Sequence, residues 1–184
     1  MAEISGAQLV IDSLKREGVD TMYSLPGDPV GDIVNGWAEA GMRMISVRHE
    51  QTAGMAAQAH SYFTRSVGVC VAASGVGQTN TLTAIANAQV NCWPLLVIGG
   101  ASELRRRNMG DFQELAQLES TAPLCKWAYT VESTERIPTL INIAMREALA
   151  GRPGPVYLDL PADMITTKVD ESIVEIPEPH SEPA

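Results

Sequence analysis

The amino-acid sequence predicts an α/β fold, a three-layer sandwich with a mostly parallel sheet of about six strands and helices on both faces. Segments typical of strands and of helices alternate along most of the 184 residues. Most strand segments, such as Val67–Ala73 and Leu95–Ile98, are continuous apolar runs. Such runs are typical of strands buried on both faces, so both observations indicate a parallel sheet that is covered on two sides.

Most of the alternating strands and helices are predicted in the first half of the chain. Apolar residues at helical spacing predict a first helix between Ser5, a candidate N-cap, and Gly18, a candidate C-cap glycine. Residues Pro26–Pro29 form a strong turn signal after the first strand. The elements predicted before residue 100 are a strand (19–25), a helix (30–40), a strand (43–47), a helix (49–64), a strand (67–73), a helix (78–90) and a strand (95–98).

The second half continues the pattern less regularly. Its predicted elements are an irregular polar segment (101–123) with a short helix near 114–119, a strand (125–131), a helix (137–148) and a strand (156–160). Ser133 is the predicted cap of the helix, and Gly151 ends it. We predict one folded domain over residues 1–165, followed by an acidic, Pro-rich linker or tail at 166–184.

Charge and composition disfavour several classes of protein. Thirteen basic against 22 acidic residues give a net charge of −9, which disfavours nucleic-acid and anionic-membrane surfaces. No stretch is long and apolar enough to span a bilayer, and the N-terminus lacks a signal region. The three cysteines, Cys70, Cys92 and Cys125, are widely separated, which argues against a disulfide scaffold or a structural zinc site. We therefore expect a cytoplasmic protein without nucleic-acid or membrane partners.

Ligands of parallel sheets bind beyond the carboxyl ends of the strands. Glu50 begins a helix at this edge, although the helix dipole alone could explain a carboxylate there. The Ser74–Gly77 turn could present backbone amides to a ligand or could be only a tight turn, and it completes no nucleotide-binding motif. The run Arg105–Arg107 is either a solvated loop face or an anion contact. The histidines lack metal-ligand spacing, so no metal site is predicted.

Three motifs together resemble the pyrimidine-binding (PYR) domain of thiamine-diphosphate-dependent enzymes. They are Leu25-Pro26-Gly27, Arg48-His49-Glu50-Gln51 and Ser74-Gly75-Val76-Gly77-Gln78-Thr79-Asn80, each of which follows a predicted strand. The ending Gly151–Pro161 is similar to that of the acetolactate synthase, oxalyl-CoA decarboxylase and 2-hydroxyacyl-CoA lyase group. The segments Asn87–Gly100 and Gly110–Glu114 look most like the lyases. Val76 departs from the family pattern of the third motif, in which many relatives have a proline at this position.

The resemblance implies a catalytic role for Glu50. In this family the equivalent carboxylate hydrogen-bonds the N1′ nitrogen of the cofactor's aminopyrimidine ring and promotes formation of the ylide, which requires a group that can exchange a proton. By the same resemblance, further residues line the cofactor pocket, namely Pro26, Gly27, Gly75, Gly77 and Asn80, or reach toward the substrate, namely Phe112 and Gln113. For Asn80, helix capping is an equally simple role.

The resemblance also implies a second domain. Family members hold Mg²⁺ and the diphosphate of the cofactor with a Gly-Asp-Gly motif, which this sequence lacks. We therefore expect thiamine diphosphate to bind only together with a diphosphate-binding domain of another chain or subunit, in a dimer or tetramer, and we expect the chain alone to be inactive. The chain could be an N-terminal piece of a longer protein, which the tail favours, or a stand-alone subunit.

Three functions stay open at this point. The chain could be half of a lyase or carboligase that acts on C–C bonds of 2-hydroxyacyl-CoA substrates of the formyl-CoA type. It could perform the same chemistry on 2-keto acids, as in acetolactate synthase or a decarboxylase, or be a non-catalytic interaction module. Phe112-Gln113 replaces the Tyr-Glu pair of oxalyl-CoA decarboxylases, which favours the first two, and the presence of Glu50 weighs against the third.

Overall fold

The computed structural model describes residues 2–179 and contains the predicted three-layer α/β sandwich. Its main sheet has six parallel strands, β2 (Thr21–Leu25), β3 (Arg43–Ser46), β4 (Gly68–Ala72), β5 (Leu95–Ala101), β6 (Trp127–Thr130) and β7 (Pro155–Pro161). They lie in the order β3-β2-β4-β5-β7-β6. A separate antiparallel pair joins β1 (Glu3–Ser5) to β8 (Lys168–Asp170).

Helices cover both faces of the main sheet. The first face carries α1 (Gly6–Arg16), α2 (Gly31–Glu39) and α7 (Ile137–Leu149), and the second carries α3 (Glu50–Thr64), α4 (Val76–Thr79), α5 (Leu82–Asn91) and α6 (Gln117–Thr121). The short α8 (Ala162–Thr166) follows β7. Alternate residues of the buried strands face opposite helix layers, so that Val69 packs with the first layer and Cys70 with the second. This alternation explains the continuous apolar runs in the sequence.

The strand order defines the ligand-binding edge more narrowly than the sequence does. From β2 the chain crosses to β3 on one side and then to β4 on the other side. Neighbouring crossovers that leave in opposite directions open a crevice at the carboxyl ends of β2 and β4. The loops after these two strands are Leu25–Pro29 and Ser74–Asn80, both of which belong to the candidate site.

Several boundaries differ from the prediction. The helix predicted at 78–90 is divided into α4 and α5, because Thr81 folds back and donates both its N–H and its hydroxyl to the carbonyl of Gln78. Strand β5 does not close at Gly99-Gly100, since both glycines continue the pairing with β7. Ser133 does not cap α7, which begins only after a 3₁₀ turn (Thr134–Arg136), with Pro138 in its first turn.

The segment predicted as a linker begins with regular structure. Strand β8 pairs with β1, with Ile4 opposite Val169, and satisfies an edge that would otherwise be open. Val169 also packs against the core. Further along, the guanidinium of Arg16 donates to the carbonyl of Pro177 at 3.1 Å. The last residues of the predicted tail, 180–184, lie outside the described residues, and the domain boundary at 165 stays a prediction.

Candidate functional site

Glu50 lies at the ligand-binding edge of the sheet, as the first residue of α3. His49 is the N-cap of this helix, and its Nδ1 accepts the backbone N–H of Gln51 at 3.1 Å. Because a ring nitrogen already caps the helix, the Glu50 carboxylate is not needed for capping. The residue is 8% exposed, which is unusual for a glutamate that forms no ion pair within residues 2–179.

The two carboxylate oxygens of Glu50 have different surroundings. Oε2 accepts a hydrogen bond from Nδ2 of Asn80 at 2.9 Å. Oε1 has no hydrogen-bond donor among the residues described and faces Gly77, where an added Cβ would lie 3.3 Å away. The sequence offered capping or a cofactor contact as the role of Asn80, and the structure shows that it holds Glu50. One oxygen is therefore fixed and the other is left open toward the glycine turn.

The Ser74–Gly77 turn is held in place by residues of distant segments. Gly75 has a φ of +61°, which favours glycine, and its N–H donates to Oε1 of Gln117. The hydroxyl of Ser74 donates to Oε1 of Gln113 at 3.1 Å. These contacts join the segment that contains Gln113 and Gln117 to the glycine turn.

The other predicted residues lie around the same edge. An added Cβ on Gly27 would lie 2.8 Å from the Cβ of Ala73, so the Leu25–Pro29 loop touches the glycine turn. Pro26 is exposed. Phe112 is 65% exposed and lines a cavity of about 210 Å³ whose wall also includes Pro29 and Ser74. The structure thus gathers the predicted cofactor and substrate residues at one end of the sheet.

Sequence reasoning missed a buried polar network behind the glycine turn. Asp159 of β7 is 4% exposed and accepts hydrogen bonds from the hydroxyl of Tyr157 (2.7 Å), from Gln117 (2.8 Å) and from the hydroxyl of Thr130 (3.2 Å). Burial raises the pKa of Asp159, although these hydrogen bonds oppose the rise, and burial also raises the pKa of Tyr157. The available signal was a tyrosine and an aspartate within an otherwise apolar buried strand.

Comparisons with known proteins identify the family of the chain. The family described as "Thiamine pyrophosphate enzyme, N-terminal TPP binding domain" matches residues 4–120. The chain belongs to this family. The predicted resemblance to the PYR domain is therefore confirmed, and Glu50 and the Ser74–Gly77 turn lie within the matched residues.

The most similar relatives include three enzymes. The chain is 39% identical over 176 residues to 2-hydroxyacyl-CoA lyase 1 of Mus musculus. This alignment covers 96% of the chain and 30% of the lyase. It is 38% identical over 175 residues to oxalyl-CoA decarboxylase of Escherichia coli (strain K12), with 93% and 31% covered. It is 38% identical over 156 residues to a probable acetolactate synthase of Mycobacterium bovis, with 85% and 28% covered. The chain thus spans less than a third of these relatives.

The residues present fit a thiamine pyrophosphate cofactor. A heteroaromatic ring with hydrogen-bonding nitrogens needs a fixed polar partner and a backbone that it can approach closely. Oε1 of Glu50 is such a partner, and the absence of a side chain at Gly77 leaves the space beside it. Within residues 2–179 no cluster of His, Cys, Asp and Glu could hold a metal ion.

The sequence also singles out the arginine run and the cysteines. All three residues of the arginine run are exposed, which favours the solvated loop face over the anion contact. Each also lies near an acid: Arg105 near Glu103 (2.7 Å), Arg106 near Asp111 (3.5 Å) and Arg107 near Asp159 (4.0 Å). The three cysteines are free. Burial raises the pKa of Cys70 to about 12, and the neighbouring Glu50 adds to the rise. Among the described helices, none has the length and apolarity that a membrane crossing requires.

Proposed function

We propose that this chain is the aminopyrimidine-binding half of a thiamine-diphosphate-dependent lyase or carboligase that acts on C–C bonds of 2-hydroxyacyl-CoA substrates of the formyl-CoA type. The observation that carries the proposal is the Glu50 carboxylate, buried at the ligand edge with Oε2 held by Asn80 and Oε1 open beside Gly77. The similarity to 2-hydroxyacyl-CoA lyase 1 supports the substrate class.

Glu50 is suited to hold a ring and exchange a proton with it. When bound, thiamine diphosphate supplies a carbon nucleophile and an electron sink for breaking a bond next to a carbonyl. Glu50 would bind a nitrogen of the aminopyrimidine ring through Oε1 and carry the proton that is exchanged there. Asn80 keeps the carboxylate from rotating, because its amide donates to Oε2. Low exposure at this position keeps water from competing for the same oxygen.

The substrate end of the site is proposed at Phe112 and Gln113. Phe112 borders the cavity next to Ser74, and Gln113 contacts the hydroxyl of Ser74. These two residues would therefore face a substrate that approaches from the side of the glycine turn. We assign them to substrate contact and Pro26, Gly27, Gly75 and Gly77 to the cofactor pocket.

The proposal requires a second domain. The sequence contains no Gly-Asp-Gly motif, so the diphosphate and Mg²⁺ would be held by a diphosphate-binding domain of another chain or subunit. The functional unit would be a dimer or tetramer in the cytoplasm. In this arrangement the chain supplies the proton-exchanging group, and its partner supplies the anchor for the charged end of the cofactor.

A second candidate function is the same chemistry on 2-keto acids. The similarity to a probable acetolactate synthase favours it. Turnover of a 2-hydroxyacyl-CoA, but not of a free 2-keto acid, by the complete enzyme would support the lyase. The opposite preference would support the acetolactate synthase-like or decarboxylase function. Absence of thiamine diphosphate binding by the complete protein would support a non-catalytic module.

The test of the role of Glu50 is Glu50→Gln in the complete enzyme. The amide can hydrogen-bond a ring nitrogen but cannot exchange its proton, so we expect the exchange rate of the C2 proton of bound thiamine diphosphate to fall by about 100- to 10,000-fold. Binding of the cofactor should largely persist. Glu39→Gln, at the exposed end of α2, is the matched control. An unchanged exchange rate in Glu50→Gln rejects the assigned role.

A further inference from the structure

Gln117 joins the glycine turn to the buried end of β7. It is the first residue of α6 and is 3% exposed. Its Oε1 accepts the N–H of Gly75, and its Nε2 lies within hydrogen-bonding distance of the Gly100 carbonyl (3.0 Å), the Tyr157 hydroxyl (3.1 Å) and Oδ1 of Asp159 (2.8 Å). Gln117 therefore joins the glycine turn to strands β5 and β7.

The surroundings of Gln117 permit only one orientation of its amide. The backbone N–H of Gly75 requires an acceptor, and the carbonyl of Gly100 and the carboxylate of Asp159 both require a donor. The oxygen must therefore face the turn and the nitrogen must face the strands. A side chain of the same length without both functions leaves at least one buried group unpaired, which is costly at a position that is only 3% exposed.

The bond to Gln117 is the contact that fixes the N–H of Gly75 within the turn. The other bonds of the turn to neighbouring segments are made by Ser74, whose hydroxyl donates to Gln113 at 3.1 Å and whose N–H donates to the carbonyl of Asp28 at 2.9 Å. Two residues further on, Gly77 lies against Oε1 of Glu50. A movement of the Gly75 N–H would therefore change the distance between the turn and the carboxylate that we assign to proton exchange.

We propose that Gln117 is a positioning residue that holds the Ser74–Gly77 turn against Glu50 by fixing the N–H of Gly75 to Asp159 and Tyr157. The proposal rests on the proposed function of Glu50. Gln117 touches neither ring nor substrate in this assignment, and its effect on catalysis is transmitted through the backbone of the turn. The tests below separate its failure from a failure of the thiamine function.

The first test measures the turn itself, without cofactor. In the complete enzyme, Gln117→Met keeps the length of the side chain but removes the acceptor for Gly75. We expect hydrogen exchange of the Gly75 amide to become at least about tenfold faster, while amides of β4 and β5 keep their protection. Gln8→Met, at an exposed position of α1, makes the same chemical change where the turn is not involved. Equal protection of Gly75 in both variants overturns the proposal.

The second test uses a change of polarity that can be reversed by pH. In Gln117→Glu the new carboxylate would face Asp159, while Tyr157, Cys125 and Arg107 are the other titratable groups around this position. Two carboxylates in contact retain a proton to higher pH than either does alone. At low pH the shared proton restores the bond between them, and as the pH rises its loss drives them apart.

We therefore expect C2 proton exchange in Gln117→Glu to be close to that of the unchanged enzyme at low pH and about tenfold slower, relative to it, at high pH. In the double variant Gln117→Glu/Asp159→Asn the new amide can donate to the carboxylate, so this extra pH dependence should disappear. A merely structural role would lower the stability in both variants without such a reversal.

The outcomes distinguish the two proposals. If Gly75 loses protection but C2 exchange is unchanged in both Gln117 variants, Gln117 is structural and the positioning proposal is wrong, while the role of Glu50 stands. If C2 exchange is equally insensitive to Glu50→Gln, the role assigned to Glu50 is rejected, and the positioning proposal falls with it. A reversible pH effect that the double variant abolishes supports both.

Discussion

The two faces of the sheet bury different kinds of side chain. The face under α1, α2 and α7 is filled by large apolar residues such as Leu14, Ile33 and Trp37, all fully buried. The face under α3 and α5 is lined by small residues such as Ala53 and Ala57, and it continues into a polar region. The buried polar side chains of that region include Gln78, Gln117, Thr121, Tyr157 and Asp159.

The difference indicates that the two helix layers contribute differently to stability and to the positioning of the site. Large apolar side chains contribute most of the free energy that favours folding, because that free energy is roughly proportional to the apolar area buried. Small residues contribute less but allow α3 and α5 to approach closely, and satisfied polar groups fix positions more than they add stability. The first face therefore supports the fold, and the second face positions Glu50 and the glycine turn.

The largest expected effect on stability tests this division directly. Leu14→Ala removes a fully buried side chain of the first face and should lower the free energy of unfolding by about 3 kcal/mol. Leu82→Ala, at a partly buried position on the second face, should lower it by about 1 kcal/mol. Urea denaturation of both variants measures the difference. Equal losses would contradict the unequal contribution of the two faces.

Close packing on the second face predicts the opposite sensitivity. An added Cβ on Gly54 of α3 would lie 2.6 Å from the Cβ of Ala84 of α5, so Gly54→Ala should force the helices apart and lower the free energy of unfolding by about 1–2 kcal/mol. Gly31→Ala is the control, because nothing lies within 4 Å of its added Cβ. It should leave stability unchanged or raise it by up to about 1 kcal/mol. An unchanged free energy of unfolding in Gly54→Ala would contradict the close packing of α3 against α5.

Much of the first face could be predicted from the sequence, because its signals are local. The helical spacing in α1 and α7 and the apolar runs of the strands report burial directly. The position of Glu50 at the start of α3 was also predictable, since it follows a short strand and begins a small-residue helix. These features depend on residues that are near one another in the chain.

The polar part of the second face could not be predicted, because its partners are far apart in sequence. Gln117 contacts Gly75 and Asp159, each 42 residues away, and the sequence around it predicts only a short helix in a polar segment. The strand order that places β7 beside β5 was likewise absent from the sequence pattern. Asn80 could be placed near a helix start, but its bond to Glu50 depends on how α3 and α4 meet.

A smaller effect concerns the pH dependence of the polar region. Because burial raises the folded-state pKa of Asp159 above its ordinary value of 3.8, its contribution to stability is fully present below that value and is lost as the pH rises through the folded-state pKa. Asp159→Asn removes this loss. The stability of the variant relative to the unchanged protein should therefore improve as the pH rises above the ordinary pKa of 3.8, in urea denaturation at each pH. A difference that does not vary with pH would indicate that Asp159 titrates normally.

The smallest effect is expected in the loop that carries Phe112 and Gln113, which belongs to neither face. The carboxylate of Glu114 accepts the backbone N–H groups of Asn108, Gly110 and Asp111, and these bonds hold its pKa below the ordinary value of 4.5. The Glu114 carboxylate therefore orders the loop fully above pH 4.5, and this ordering is lost as the pH falls through the lowered pKa of Glu114.

Glu114→Gln retains only one oxygen acceptor, so we expect faster amide hydrogen exchange over residues 108–111 and no measurable change in global unfolding. Glu119→Gln, exposed in α6, is the matched control. The unchanged protein should show the same local loosening at low pH. Because Gln113 contacts Ser74 from the end of this loop, a rise in the exchange of the Gly75 amide as well would mean that the loop and the second face form one cooperative unit. Loosening confined to 108–111 would keep them separate.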